Sequence, residues 1–182
     1  MIHPLSDVKS RNIGKDTRIW QYAIVLEGAV IGDHCNINCH TFIENKVVIG
    51  NNVTVKAGVY LWDGIEIHDN VFIGPNVTFT NDKYPRSKKH PENFQSTVIG
   101  RNASIGAASI ILGTVKIGAF AMIAAGSLVT KDVPDHALVM GCPAKICGWV
   151  DEEGNKLRLQ DGIWYSQDGK TFREENNILL PI

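Results

Sequence analysis

The stretch "IGDHCNINCHTFIENKVVIGNNVTV", Ile31 to Val55, decides the fold. Ile31, Ile37, Ile43, Ile49 and Val55 recur at every sixth residue. Cys35, Thr41, Val47 and Val53, each four places after a lead, are small or β-branched. A helix repeats every 3.6 residues and a half-buried strand every two, so neither produces this period. The β-branched and glycine content also disfavours helix. Short strands that turn a corner every six residues do produce it. Each lead then points into a narrow prism, three sides close one coil of about 18 residues, and stacked coils form continuous parallel sheets.

Outward from this stretch the leads continue as Ile13, Ile19 and Val25 before it, and Leu61, Ile67, Ile73 and Phe79 after it. The series resumes with Ile99, Ile105, Ile111, Ile117, Ile123 and Val129, partnered at the fourth offset by Ala103, Ser109, Val115, Ala121, Ser127 and Val133. Gly14, Gly32, Gly50 and Gly74 directly follow leads, and Asn and Asp crowd the corners. These residues tolerate the left-handed dihedrals that tight corners demand. Eighteen hexads predict six coils and a stack roughly 29 Å tall at ~4.8 Å per strand.

Without interruption the hexad after Phe79 starts at residue 85, yet it starts at 99. A 14-residue excursion, "FTNDKYPRSKKHPENFQ" at its core, therefore leaves one corner of the prism. Long excursions inside a compact domain are usually functional. This one carries Asn81, Asp82, Tyr84, Arg86, Lys88, Lys89 and His90. A cationic loop in a chain of formal net charge −1 predicts an anionic ligand such as phosphate. Glu27, Asn45, Asp63 and Asn81, 18 residues apart, form one polar column leading to the loop's base. Trp62, a large aromatic at a corner, predicts shielding by a partner subunit or a ligand.

The expected organisation is a β-helix over residues 1–134 with an inserted loop at 83–98, then a C-terminal extension over 135–182. In the tail, Asp161-Gly162 and Asp168-Gly169 predict hairpin turns of a small antiparallel meander that caps the open end. The near-neutral charge gives no case for nucleic acid or a membrane surface. No apolar run reaches the length of a transmembrane helix, and no secretory signal is evident. Cys35, Cys39, Cys142 and Cys147 follow no metal or disulfide spacing, so reduced thiols in a cytoplasmic protein are expected.

The hexapeptide rows, together with "LWDG", "IGPNVTFTNDKYPRSK", "IGAASIILGTVKIG" and "GCPAKICGW", resemble the nucleotide-sugar N-acyltransferases of the left-handed parallel β-helix class over residues 1 to about 150. The resemblance implies left-handed coils and trimeric association along the prism sides. It also implies transfer of acetyl from acetyl-CoA to the 3-amino group of a nucleotide-linked hexose in surface-polysaccharide biosynthesis. "TNDKYPRSK" and "MIHPLSDV" are similar to the type acting on dTDP-3-amino-3,6-dideoxyhexoses. "GWVDEEGNKL" is similar to the type acting on UDP-2-acetamido-3-amino-2,3-dideoxyglucuronic acid.

In such a reaction Asn81 orients the amine, because an amide is no general base. Asp82 accepts the proton, or the departing CoA sulfur does. The resemblance implies substrate binding by Glu44, Trp62, Asp63, Tyr84 and Arg86, with His90 a second-rank base. For acetyl-CoA, the tiny side chains of Ala107, Ala108, Ala125 and Gly126 leave backbone groups open to a pantetheine arm. Lys131 and Lys145 are placed for its phosphates and Pro143 for its adenine. His34, His40 and His68 fall in repeat rows, with His34 and His40 on different prism sides, so no shared metal site is expected. A non-catalytic solenoid scaffold is the other class, and it has no need of the loop. An ice-binding face would need a regular threonine array, which Thr17, Thr41, Thr54 and Thr78 do not form.

Overall fold

The structure, a computed structural model, describes residues 1–89, 91 and 94–182. Every regular element is a strand, and nearly all those up to Val129 are two or three residues long. They form three parallel sheets, the faces of a prism. Face one stacks seven strands: Asp7–Val8, Ile24–Val25, Phe42–Ile43, Tyr60–Leu61, Thr78–Phe79, Ile110–Ile111 and Leu128–Val129. Face two stacks six, from Asn12–Ile13 to Lys116–Ile117, and face three runs from Arg18–Ile19 to Met122–Ile123 and beyond. The chain is a left-handed parallel β-helix, as its repeat predicts.

Ile19 pairs with Ile37 and Ile37 with Val55, an offset of 18 residues that puts one lead above another. Every lead from Ile19 to Val129 is at most 2 % exposed, whereas Ile13, at the frayed start, is only partly buried. Each inward aliphatic removes surface worth about 1.5–3 kcal/mol from water. The third residue after a lead turns the corner with positive φ, even where it is bulky: Tyr22 (61°), His34 (57°), His40 (57°) and Phe120 (59°). Gly32 answers a different need, because a Cβ there would stand 2.6 Å from the Gly50 carbonyl carbon in the next coil.

Across the excursion Ile67 pairs with Ile99, 32 residues on instead of 18, so the loop leaves the register of the faces undisturbed. The stack is longer than the six coils expected, with about seven turns. Asp7–Val8 joins face one and Ile2 bridges Ile19, outside the strict hexad count. Past Pro134, Ala137–Gly141 continues face three in parallel with Met122–Ile123. Ala144–Trp149 then folds back antiparallel on it and buries Trp149 completely. The tail is a four-stranded antiparallel meander: Arg158–Gln160, Ile163–Tyr165, Thr171–Glu175 and Ile178–Pro181. Its first two turns are the expected Asp-Gly pairs, and the third is Asn176-Asn177, with φ of 52° and 60°. Trp149 Nε1 donates to Glu174 at 2.9 Å, which ties the meander to the cap.

Candidate active site

The loop leaves face one after Phe79 and rejoins face two at Thr97, so it occupies the edge between these faces. The Gln95 N–H donates to the Asn81 carbonyl at 3.0 Å and closes the neck. Beneath it, Gly113 N–H donates to Thr80 Oγ1 at 3.0 Å. Asp82 Oδ1 accepts the Tyr84 N–H at 2.8 Å, a side-chain-closed turn of the kind aspartate favours. Lys89 N–H donates to Arg86 O at 3.1 Å, and Lys83 Nζ lies 5.6 Å from the Tyr84 ring centre.

These contacts shape a depression of about 350 Å³, lined by Asn81, Asp82, Lys83, Tyr84, Arg86, Lys89, Pro91 and Gln95. Its described lining holds three cations and one carboxylate, a charge balance suited to a diphosphate. Of the residues expected at the acceptor site, Asn81, Asp82, Tyr84 and Arg86 come together here. His90 lies outside the described residues. Lys83 and Gln95 were not singled out from the sequence. The signal available for Gln95 was its place just before the chain regains its period.

Glu44, Trp62 and Asp63 stand one or two coils below and are engaged with the backbone. Glu44 Oε2 accepts the Asp63 N–H at 2.7 Å, and Asp63 Oδ1 accepts the Lys46 N–H at 2.8 Å. Trp62 Nε1 donates to the Phe79 carbonyl at 2.8 Å, two residues before Asn81. The indole thereby links the loop's base to an aromatic shelf on face one. Trp62 meets Phe42 and Tyr60 at 5.7 and 6.0 Å between ring centres, and Tyr22 stacks on His40 at 5.2 Å. The signal for this shelf was present, because Ile24, Phe42 and Tyr60 precede their leads at 18-residue spacing.

The residues expected to hold acetyl-CoA fall into two groups. Ala107, Ala108, Ala125 and Gly126 follow face three and line the edge between faces three and one. There Gly126 N–H donates to Ala107 O at 2.9 Å, and nothing stands within 4 Å of where a Cβ on Gly126 would be. Lys131, Pro143 and Lys145 meet at the closed end of the prism around a cavity of about 440 Å³. The small-residue row and the loop are thus on opposite margins of face one. Among the described residues no group of three or more His, Cys, Asp or Glu is placed to hold a metal ion. His68 instead lies 3.1 Å from Glu66.

A hexad-built prism with a 14-residue excursion at one edge defines a β-helical transferase. The chain belongs to the bacterial transferase hexapeptide family: its six-repeat model matches residues 12–45, 46–81 and 96–131, and the gap left between the last two spans is the loop. Among relatives, the dTDP-3-amino-3,6-dideoxy-alpha-D-galactopyranose 3-N-acetyltransferase of Aneurinibacillus thermoaerophilus is 51 % identical over 178 residues, covering 98 % of this chain and 93 % of that one. A hexapeptide-repeat acetyltransferase of Vibrio cholerae O1 biovar eltor, solved with acetyl coenzyme A, is 30 % identical with a TM-score of 0.55, over 65 % of this chain and 71 % of that one. A variant N-acyltransferase of Bacillus cereus, solved with dTDP and coenzyme A, shares the fold at 19 % identity and a TM-score of 0.56, over 84 % of each chain.

Proposed function

We propose that the chain is a CoA-dependent N-acetyltransferase that moves acetyl from acetyl-CoA to the 3-amino group of a dTDP-3-amino-3,6-dideoxyhexose, in the cytoplasm, as a step of surface-polysaccharide biosynthesis. The observation that carries this reading is end-to-end identity with the Aneurinibacillus thermoaerophilus enzyme, loop included. The charge of the loop depression supports it. Lys83, Arg86 and Lys89 face the pyrophosphate while Asn81 holds the amine. The neutral amine attacks the thioester carbon, a C–N bond forms, the C–S bond breaks and CoA leaves as thiolate. Asp82 has one oxygen engaged by Tyr84 N–H, and its second oxygen takes the proton from nitrogen and passes it to the thiolate.

Acetyl-CoA lies along the Ala107–Ala108 and Ala125–Gly126 row, with its phosphates toward Lys131 and Lys145 and its adenine toward Pro143. In one chain this row and the loop are separated by the width of face one. A homotrimer with face one turned inward places the row of one subunit beside the loop of the next. The exposed outward side of face one, with Ile24 (39 %), Tyr60 (50 %) and Ile110 (40 %), is apolar enough to be buried there.

The test is thiol release from acetyl-CoA with dTDP-3-amino-3,6-dideoxyhexoses and UDP-2-acetamido-3-amino-2,3-dideoxyglucuronic acid in parallel, with the mass followed by light scattering. Turnover with the dTDP sugar alone, by a trimer, is expected. Turnover with the UDP sugar alone would reassign the substrate, and thiol release with neither would return the chain to a scaffold role.

A further inference from the structure

Gln95 stands on the returning limb of the loop, with its N–H on the Asn81 carbonyl and its side chain in the wall of the depression. Its amide oxygen Oε1 is sealed from solvent and meets no donor among the described residues. Oε1 lies where a Cβ on Gly113 would stand, and the Thr80 carbonyl oxygen borders the same point at 3.1 Å. Two acceptors therefore face one dry spot with no hydrogen between them. An acceptor left this way costs about 1–3 kcal/mol. The last torsion of a glutamine side chain is broad and two-fold, and a half-turn exchanges its oxygen and nitrogen in nearly the same space. After that turn the amino group faces the Thr80 carbonyl, and Oε1 faces the depression beside Asn81.

We propose that Gln95 is an acceptor-binding residue: its Oε1, turned into the depression, takes one N–H of the sugar's amino group while Asn81 takes the other. This rests on the acetyltransferase reading above. A primary amine held at both N–H bonds has its lone pair fixed in one direction, toward the thioester carbon, which is the alignment attack requires. Both amides only accept hydrogen bonds; the proton leaves by the route already described. Gly113 has a part in this arrangement, since a side chain there would occupy the place of the Gln95 head. The charged or titratable described groups around the amine are Asp82, Lys83, Tyr84, Arg86 and Lys89.

The experiment measures kcat and KM for both substrates in wild type, Gln95→Met, Gln95→Glu and Gly113→Ala, with Tm recorded for each. Gln95→Met keeps the shape and removes the acceptor. It should lower kcat/KM for the amino sugar by about 10- to 100-fold and leave KM for acetyl-CoA within about twofold. Gln95→Glu keeps an acceptor but adds a charge that stabilises the ammonium form. The acid limb of its kcat/KM profile should therefore move up by about one pH unit, which a merely structural residue would not cause. Gly113→Ala should repeat the Met phenotype with weaker effect.

Wild-type kinetics and an unmoved pH profile in Gln95→Met and Gln95→Glu would overturn the proposal while leaving the acetyltransferase reading intact. Equal losses for both substrates together with a fallen Tm would assign Gln95 to loop architecture instead. A wild-type chain that releases no thiol with any amino sugar would remove the parent reading, and this one with it.

Discussion

Asp63 and Asn81 occupy the same register of one edge, 18 residues apart, and are used in opposite ways. Asp63 serves the prism, its Oδ1 holding the Lys46 N–H of the coil below, as Asn45 does for Gly28. Asn81 makes no such bond among the described residues. Its carbonyl instead receives the Gln95 N–H that closes the loop, and its side chain is left for the depression. In a solenoid, then, residue type at a repeat position does not distinguish structure from function. Release from the ladder does.

The strongest test of this contrast removes the loop. Deleting residues 83–96 restores the hexad count, because Phe79 and Ile99 then stand six apart. The faces already ignore the insertion, with Ile67 paired to Ile99. We expect the β-rich circular dichroism to persist and kcat/KM to fall by at least about 10⁴-fold, since both positioning and charge complementarity go together. Near-normal thiol release from the deleted chain would move the site elsewhere. Asn81→Ala is next, with kcat about 100-fold lower and Tm within a few degrees of wild type, because no coil depends on its side chain.

The prism was legible because a six-residue period survives any substitution of one aliphatic for another. The site was legible only in part. Asn81, Asp82, Tyr84 and Arg86 stood out as polar residues inside a break in the pattern, and the structure gathers them. Glu44 and Asp63 looked alike from the sequence, yet their carboxylates are bound to backbone N–H groups, which only the stacking of coils reveals. Gln95 was missed because its importance lies in what surrounds it: a neighbouring glycine 18 residues on, and a carbonyl from the outgoing limb. The two extra strands at the ends of the stack were missed because Asp7–Val8 and Ala137–Gly141 are out of phase with the hexads.

Trp62 lies between the two behaviours, with its ring packed on the shelf and its N–H on the carbonyl of Phe79. Trp62→Phe keeps most of the packing and deletes the hydrogen bond, whose net worth is about 0.5–1.5 kcal/mol. If the indole sets the loop's take-off, kcat/KM for the amino sugar should fall by up to about tenfold, with KM for acetyl-CoA unchanged. An equal change in both constants would make Trp62 a packing residue alone. Asp63→Ala should show the opposite profile: Tm lower by roughly 2–4 °C with kcat/KM nearly intact. A loss of turnover without a loss of Tm would return Asp63 to the substrate.

The smallest effect concerns Cys35, deep in a regular corner far from the loop. Its thiol donates to the Gly50 carbonyl at 3.1 Å, and burial, aided by the charges of Asp33 and Asp69, pushes its pKa above the usual thiol value against opposing hydrogen bonds from Val53 and Thr17. The folded chain therefore binds the thiol proton more tightly than the unfolded chain does. Stability from this group is fully present below the unfolded pKa and drains away as pH rises toward and through the folded one. Urea unfolding at about pH 7.5 and about pH 10 should show a fall in wild type that is smaller in Cys35→Ala. Thiol labelling of the native chain should reach the exposed Cys142 and Cys147 first and Cys35 only on unfolding. If Cys35 labels as fast as they do, the corners of the prism open far more readily than the unbroken ladder beneath Asn81 implies, and the contrast between a rigid scaffold and a released site would have to be drawn at a different edge.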